Sequence, residues 1–214
     1  MITYEEWLND WRFFCSLCTR FQSSIQFVDD KIDPNTSKLI NGNTFSNEFN
    51  TMLLLVCAEF ENISRQICST IDPNFKASTA NIRVFTTTIT THFPKLRLTE
   101  ISSPVQSKFR PLENWAYSNP PGECSGIEWW DDNGELKHHR YPNLDKATLQ
   151  NCYDALASLF VLELYAAALI MPQDHNSFDF DPMYELSSNP CPYFSSEYYR
   201  DLIWPAQKEL PDFS

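Results

Sequence analysis

The sequence predicts an all-α fold, an up-and-down bundle of helices, on three observations. Apolar residues recur at alternating steps of three and four in two long N-terminal segments and again before residue 171, which is the period of a helix with one buried face. Glycine occurs only 4 times in 214 residues, which disfavours sandwiches with many tight turns and glycine-rich nucleotide-binding folds. Hydrophobic residues make up 43% of the chain, enough to bury a sizeable core.

Two helices are predicted before Asp72-Pro73. The first is expected over residues 3–29, with Thr3 at its start. Its apolar face consists of Trp7, Trp11, Phe14, Cys18, Phe21, Ile25 and Val28. After a polar loop, the second helix is expected from about residue 45 to Asp72, with capping groups at residues 46–48. Its middle, MLLLVCA, is apolar on every side, which predicts a central position in the bundle.

Two later segments continue the helical pattern. Residues 78–93 have apolar residues at helical spacing, although the β-branched run VFTTTITT would also suit a strand, and we expect a helix because its neighbours are helical. The strongest helix is predicted over residues 145–171, with Asp145 as its N-cap and Pro172 as its stop. Between them, residues 95–128 are rich in proline and predict a small hairpin-like or irregular insertion.

The last 43 residues differ in composition from the rest. Residues 172–214 hold eight acidic side chains, two basic ones and six of the 14 prolines, with aromatic residues interleaved. We expect this acidic, aromatic extension to pack on the bundle, with one short helix at 195–204. The predicted organisation is therefore a helical bundle over residues 1–171 and an extension over residues 172–214.

The net charge and the N-terminal sequence limit which ligands and which cellular compartment are expected for this protein. The net charge of −12 excludes a broad electrostatic grip on nucleic acid, so a polyanion would need a local basic spot. The acidic start MITYEEWLNDW has no basic or apolar region typical of a secretory signal, so we expect a cytoplasmic protein with reduced thiols. The apolar run at 155–171 is short for a membrane span and contains Glu163, so a buried helix is expected and no membrane contact.

A local basic spot lies in the segment WWDDNGELKHHR, residues 129–140. Lys137 and Arg140 could hold a phosphate, and His138 has a side chain suited to proton transfer near neutral pH. The candidate catalytic residues are His138 and Arg140, and the candidate RNA- or phosphate-binding residues are Lys137, His139, Trp129, Trp130 and Asn133. Composition alone favours another interpretation, an exposed polar turn whose tryptophans belong to the core and whose His138 bonds to the backbone.

The same segment resembles the HEPN superfamily. The pattern Trp-Trp, then Lys-His-x-Arg, then a helix opening Ala-x-Leu-x-Asn is matched by Trp129, Trp130, Lys137, His138, Arg140, Ala147, Leu149 and Asn151. The resemblance covers about residues 1–171 and implies a small α-helical bundle of the kind found in prokaryotic toxin–antitoxin and abortive-infection systems. Asn133-Gly134 stands in place of the family's Tyr-Asn pair. The Arg-x(4–6)-His motif of the ribonuclease members is absent.

Two functions follow as expectations from this resemblance. The first is metal-independent RNA cleavage or RNA binding through the segment Lys137-His138-x-Arg140, in a homodimer with Trp129 or Trp130 near the contact. Its partners would be RNA or an antitoxin protein, and no cofactor is expected. The alternative is a non-catalytic protein–protein interaction module in which the same turn is structural. The missing ribonuclease motif leaves enzymatic activity open.

No metal site is predicted elsewhere. Cys15-x-x-Cys18 is half of a zinc or redox motif, but no second such pair exists, and buried thiols are expected there. Glu59 and Glu61 on the second helix and Glu163 on the last would suit a di-metal bundle only with accompanying histidines. Neither helix contains a histidine.

Overall fold

The computed structural model describes residues 2–26, 28, 31–116, 126–170 and 182–196. This part of the chain contains α-helices and short 3₁₀ turns, and it has no β-strand longer than an isolated bridge. The α-helices are α1 (Tyr4–Ile25), α2 (Asn47–Ile71), α3 (Ile82–His92), α4 (Glu128–His138), α5 (Leu149–Ile170) and α6 (Pro182–Ser188). The predicted all-α bundle is confirmed.

The ends of α1 and α2 follow directly from their sequences. The Thr3 hydroxyl accepts a hydrogen bond from the Glu6 amide, and the Glu6 carboxylate accepts one from the Thr3 amide, which forms a capping box. The Ser46 hydroxyl accepts a bond from the Phe49 amide at the start of α2, and Asp72 ends that helix. Both predicted helices are confirmed, with α1 ending at Ile25 rather than residue 29.

The threonine-rich segment forms α3, as expected. The Asn81 side chain caps it by accepting bonds from the amides of Arg83 and Val84. Two threonine hydroxyls donate hydrogen bonds to backbone carbonyls of the preceding turn. Thr86 donates to the Ile82 carbonyl and Thr90 to the Thr86 carbonyl, each at 2.7 Å. Tertiary packing of the apolar face therefore prevails over the β-propensity of the run.

The central helix α5 begins later than predicted. Asp145 lies in the short 3₁₀ turn Leu144–Lys146, and the Thr148 hydroxyl accepts the bond from the Asn151 amide at 3.1 Å. The prediction that Asp145 caps this helix is therefore wrong, because the extra turn moves the helix start to Leu149. Among the described helices, α5 is the one long and apolar enough to cross a membrane, and most of it is buried against α1 and α2.

The proline-rich insertion is less regular than a hairpin. Ile101 and Phe109 form one isolated antiparallel bridge, with both amide-to-carbonyl distances at 2.9 Å. A second bridge joins Ser102 to Ser195, so the insertion is tied to the C-terminal extension. Residues 117–125 lie outside the described part of the chain.

The described part of the extension, residues 182–196, packs on the bundle. The indole N–H of Trp11 donates to the Asn189 carbonyl at 3.1 Å. Tyr193 and Phe194 are buried and pack against aromatic rings of α1 and α5, namely Phe21, Tyr153 and Phe160. The helix predicted at 195–204 falls mostly outside the described residues. Its first two residues, Ser195 and Ser196, are not helical.

Candidate functional site

The segment that resembles the HEPN motif is a helix rather than a turn. Residues Glu128–His138 form α4, so of the segment 129–140 only His139 and Arg140 lie beyond the helix. His139 is its C-cap, with its amide bonded to the Glu135 carbonyl at 2.8 Å. Lys137 and His138 fill the last helical turn, where positive charge is favoured by the helix dipole.

The basic side chains at the end of α4 all face solvent. Lys137, His138, His139 and Arg140 are each exposed, and together they define what we call the cationic turn. Tyr141, the next residue, is 96% exposed. The structure therefore brings four of the predicted site residues to one accessible place on an otherwise acidic chain.

Arg140 is tied to a distant part of the fold. Its guanidinium Nη2 donates to Asn47 Oδ1 at 2.8 Å, across 93 positions of sequence. Asn47 is the first residue of α2, so the guanidinium lies near the positive end of that helix. The Asn143 side chain also donates to the His139 carbonyl at 2.9 Å and holds the turn in shape.

The remaining predicted site residues lie in the core or pack against it. Trp129 is 3% exposed and meets Phe60 edge to face at a ring distance of 5.0 Å. Trp130 is half-buried, 5.8 Å from the same ring. Asn133 is buried, and its Oδ1 accepts no hydrogen bond within the described residues. The folded chain therefore keeps Trp129 and Asn133 away from a bound base, and Trp130 offers only part of its surface.

A polar network fixes α4 against the start of α5. The Asn151 side-chain Nδ2 donates to Asp132 Oδ2 at 2.8 Å and to the Lys146 carbonyl at 2.9 Å. The Lys146 ammonium lies 3.3 Å from Asp132 Oδ1. Asn151, a position of the sequence motif, thus holds α4 against the start of α5. The sequence pattern did not indicate Asp132 or Lys146 because the motif leaves both positions unspecified.

This network forms one wall of a polar groove of about 520 Å³ between the 33–43 loop and the start of α5. Charged side chains of both signs line it: Asp33, Lys38, Glu128, Asp132, Asp145 and Lys146. Acidic groups outnumber basic ones, which disfavours an anionic ligand. None of the residues of the cationic turn lines the groove. At its base, Gln150 donates to Asp154 Oδ1, and burial raises the pKa of Asp154 to about 6.

Buried carboxyls lie in the bundle without forming a metal site. Glu163 is fully buried, and neither carboxyl oxygen has a hydrogen-bond partner in the described chain. Burial raises its pKa well above the ordinary value, and the nearby carboxyls of Asp10 and Glu59 raise it further. Within residues that the structure describes, no group of three or more His, Cys, Asp or Glu side chains is arranged to hold a metal ion.

In comparisons with known proteins, no family model, no curated protein and no solved structure matched the chain. In the described residues, fold and site together define a small all-α bundle with an exposed cationic turn. The resemblance to the HEPN superfamily therefore rests on the sequence pattern alone.

Proposed function

We propose that this is a HEPN-like protein of a prokaryotic conflict system, of toxin–antitoxin or abortive-infection type, that binds RNA through the cationic turn. The observation that carries the proposal is the exposure of Lys137, His138, His139 and Arg140 at one end of α4, on a chain with a net charge of −12. Such a chain repels polyanions elsewhere, so binding would be confined to this turn.

Phosphate contacts would supply most of the affinity. Lys137 offers a compact charge, and Arg140 a planar fork that suits two phosphate oxygens. The hydrogen bond to Asn47 uses one nitrogen of the guanidinium and fixes the orientation of the group. Because Trp129 is buried, base stacking on it contributes nothing, and binding should be strongly weakened by salt.

Cleavage would need a proton-transfer group and a group that stabilises developing charge. In a metal-independent reaction, the RNA 2′-hydroxyl attacks the adjacent phosphate, with His138 moving a proton and Arg140 contacting the phosphate oxygens. His138 is exposed at the surface rather than enclosed, and the Arg-x(4–6)-His motif is absent. RNA binding is therefore the core of the proposal, and cleavage is its stronger form.

A non-catalytic interaction module is the second candidate. The bonds from Arg140 to Asn47 and from Asn143 to the His139 carbonyl favour it, because they give the turn a structural role between α4 and α2. In that case the turn would contact a protein partner such as an antitoxin, and RNA would not bind.

A homodimer belongs to the first candidate. Two cationic turns facing each other would enlarge the surface offered to RNA. Because Trp129 is buried inside its own chain, the contact would have to use Trp130 or the turn itself. Sedimentation at tens of micromolar tests this, and a monomer would remove the shared-site form of the proposal.

The two candidates are separated by incubating purified full-length protein with RNA in EDTA and following both retardation and cleavage. Under the first candidate, wild type retards RNA, and any cleavage persists in EDTA. His138→Ala should abolish cleavage with little change in Tm, and His139→Ala should have a smaller effect. If RNA is neither retarded nor cut and His138→Ala has a lowered Tm, the RNA-binding candidate is wrong and the interaction module is favoured.

A further inference from the structure

Two cysteines from opposite ends of the sequence meet at the surface of α1, and a third lies nearby on the same helix. Cys15 and Cys18 lie one helical turn apart, and Cys191 lies in the irregular segment that follows α6. The sulfur atoms of Cys18 and Cys191 are 3.8 Å apart, although 173 positions separate them in sequence. All three are free thiols. The half-motif found in the sequence therefore has a partner that sequence spacing could not reveal.

The surroundings of Cys191 differ from those of the other two thiols. Its sulfur accepts hydrogen bonds from the backbone amides of Phe194 at 3.2 Å and Tyr193 at 3.5 Å. Burial opposes ionisation of Cys191, but the contact with Cys18 and the two amides outweigh it, so its pKa lies below the ordinary value. Burial raises the pKa of Cys15 to about 12 and that of Cys18 well above its usual range.

Solvent access also distinguishes these two sulfurs. Cys18 is fully buried on a helix, whereas Cys191 is partly exposed in a segment without regular structure. Thiolates react with peroxides, and the resulting sulfenic acid condenses with a neighbouring thiol. A sulfur–sulfur bond is about 2.05 Å long, so the approach needed from 3.8 Å is short.

We propose that Cys191 and Cys18 form a peroxide-sensitive thiol pair whose disulfide fastens the C-terminal extension to α1. The Cys191 thiolate attacks hydrogen peroxide; a sulfur–oxygen bond forms, the oxygen–oxygen bond breaks, and hydroxide leaves. The Cys18 sulfur then attacks the sulfenic acid; a sulfur–sulfur bond forms, and the sulfenic hydroxyl leaves with the thiol proton as water. Each sulfur loses one electron, and the peroxide oxygens gain two.

The bond would act on a segment that holds much of the extension in place. Residues 191–196 bury Tyr193 and Phe194 against the bundle and carry the bridge from Ser195 to Ser102. Oxidation would lock that packing covalently, whereas the reduced pair leaves it to non-covalent contacts. The pair is thus a switch on the attachment of the extension, independent of whether the cationic turn binds RNA.

The test treats reduced, full-length wild-type protein with hydrogen peroxide, alkylates the remaining thiols and maps the peptides by mass spectrometry. We expect a peptide pair joined through Cys18 and Cys191 and lighter by two hydrogen atoms. The oxidised protein should also melt about 5–10 °C higher than the reduced one. Both residues unlinked and alkylated, or a link from Cys191 to Cys15, would overturn the proposal.

Variants assign the two roles. In Cys18→Ala the sulfenic acid on Cys191 has no partner thiol, so a dimedone probe should label Cys191. In Cys191→Ser neither the label on that position nor the cross-link should form. Cys68→Ala, which removes a buried thiol on α2, is the matched control and should leave the cross-link unchanged. Labelling of Cys18 ahead of Cys191 would contradict the assigned order.

Discussion

Arg140 donates a hydrogen bond to Asn47 Oδ1 at 2.8 Å, which joins the end of α4 to the first turn of α2. The bond lies at the surface, where one hydrogen bond contributes about 1 kcal/mol to stability. It therefore orients the guanidinium more than it stabilises the fold. A phosphate that binds Arg140 would meet a side chain already held in direction.

Asn47→Ala should separate these two effects. We expect its Tm to fall by no more than about 4 °C, since the bond is exposed. RNA affinity should fall about two- to fivefold, because Arg140 loses its orientation but keeps its charge. Asn43→Ala, another exposed asparagine, is the matched control. A large loss of Tm with unchanged affinity would favour the structural role of the turn.

Trp129→Ala tests the burial of the motif tryptophan. The side chain fills space against Phe60, so its removal should cost about 3–5 kcal/mol and lower the Tm by roughly 10 °C. Tyr141→Ala, which removes an aromatic ring that is 96% exposed, should leave the Tm unchanged. Calorimetry on both variants checks this, and a Trp129→Ala protein as stable as wild type would show that the ring is not in the core.

The buried carboxyl of Glu163 predicts a pH dependence of stability. Because its folded pKa is raised above the usual 4.5, the folded chain keeps a proton that the unfolded chain releases. The free energy of unfolding should therefore fall as the pH rises above about 4.5. Glu163→Gln removes this effect, so it should raise the Tm by about 5 °C at pH 7.5.

The comparison is made by melting both proteins from pH 4 to pH 8. The gain from Glu163→Gln should shrink towards pH 4, where both states of the wild type are protonated. The control is Glu135→Gln, an exposed carboxylate on α4. A gain that is the same at every pH, or one that grows on acidification, would contradict a protonated Glu163.

Two truncations of the acidic extension separate the effect of its packing on stability from the effect of its charge on RNA binding. Ending the chain after Ile170 removes the buried residues Leu186, Tyr193 and Phe194, so the Tm and solubility should fall. Ending it after Ser196 keeps that packing but removes four acidic and two basic residues, which lowers the net negative charge of the chain by two. The shorter truncation should raise RNA affinity several-fold with little change in Tm. Unchanged affinity would show that the extension does not shield the cationic turn.

Much of the fold was predictable because helix signals are local. Thr3 with Glu6, Ser46 and Asn81 each cap a helix through residues at most three positions away. The start of α5 was predicted wrongly because Asp145 and Thr148 are both good caps, and only the interposed 3₁₀ turn decides between them. The local sequence pattern therefore predicts that a helix forms, but it does not determine the residue at which the helix begins.

The site was less predictable because its contacts are distant in sequence. The bond from Arg140 to Asn47 spans 93 positions, and the sulfur pair of Cys18 and Cys191 spans 173. Residues 137–140 of the motif are exposed, but the motif could not tell that Trp129 faces the core. Such contacts follow from packing of whole helices, which no short spacing encodes.

Equilibrium binding of a fluorescent single-stranded RNA in EDTA measures whether the cationic turn binds RNA. Wild type is compared with Lys137→Ala/Arg140→Ala and with Lys76→Ala/Lys95→Ala, which removes two exposed cations elsewhere. The cationic-turn variant should bind at least about tenfold more weakly, and its slope against log salt should be smaller by about 1.4, while the control matches wild type. Equal affinity of all three proteins, or no RNA binding by wild type, would show that the cationic turn is not an RNA-binding site.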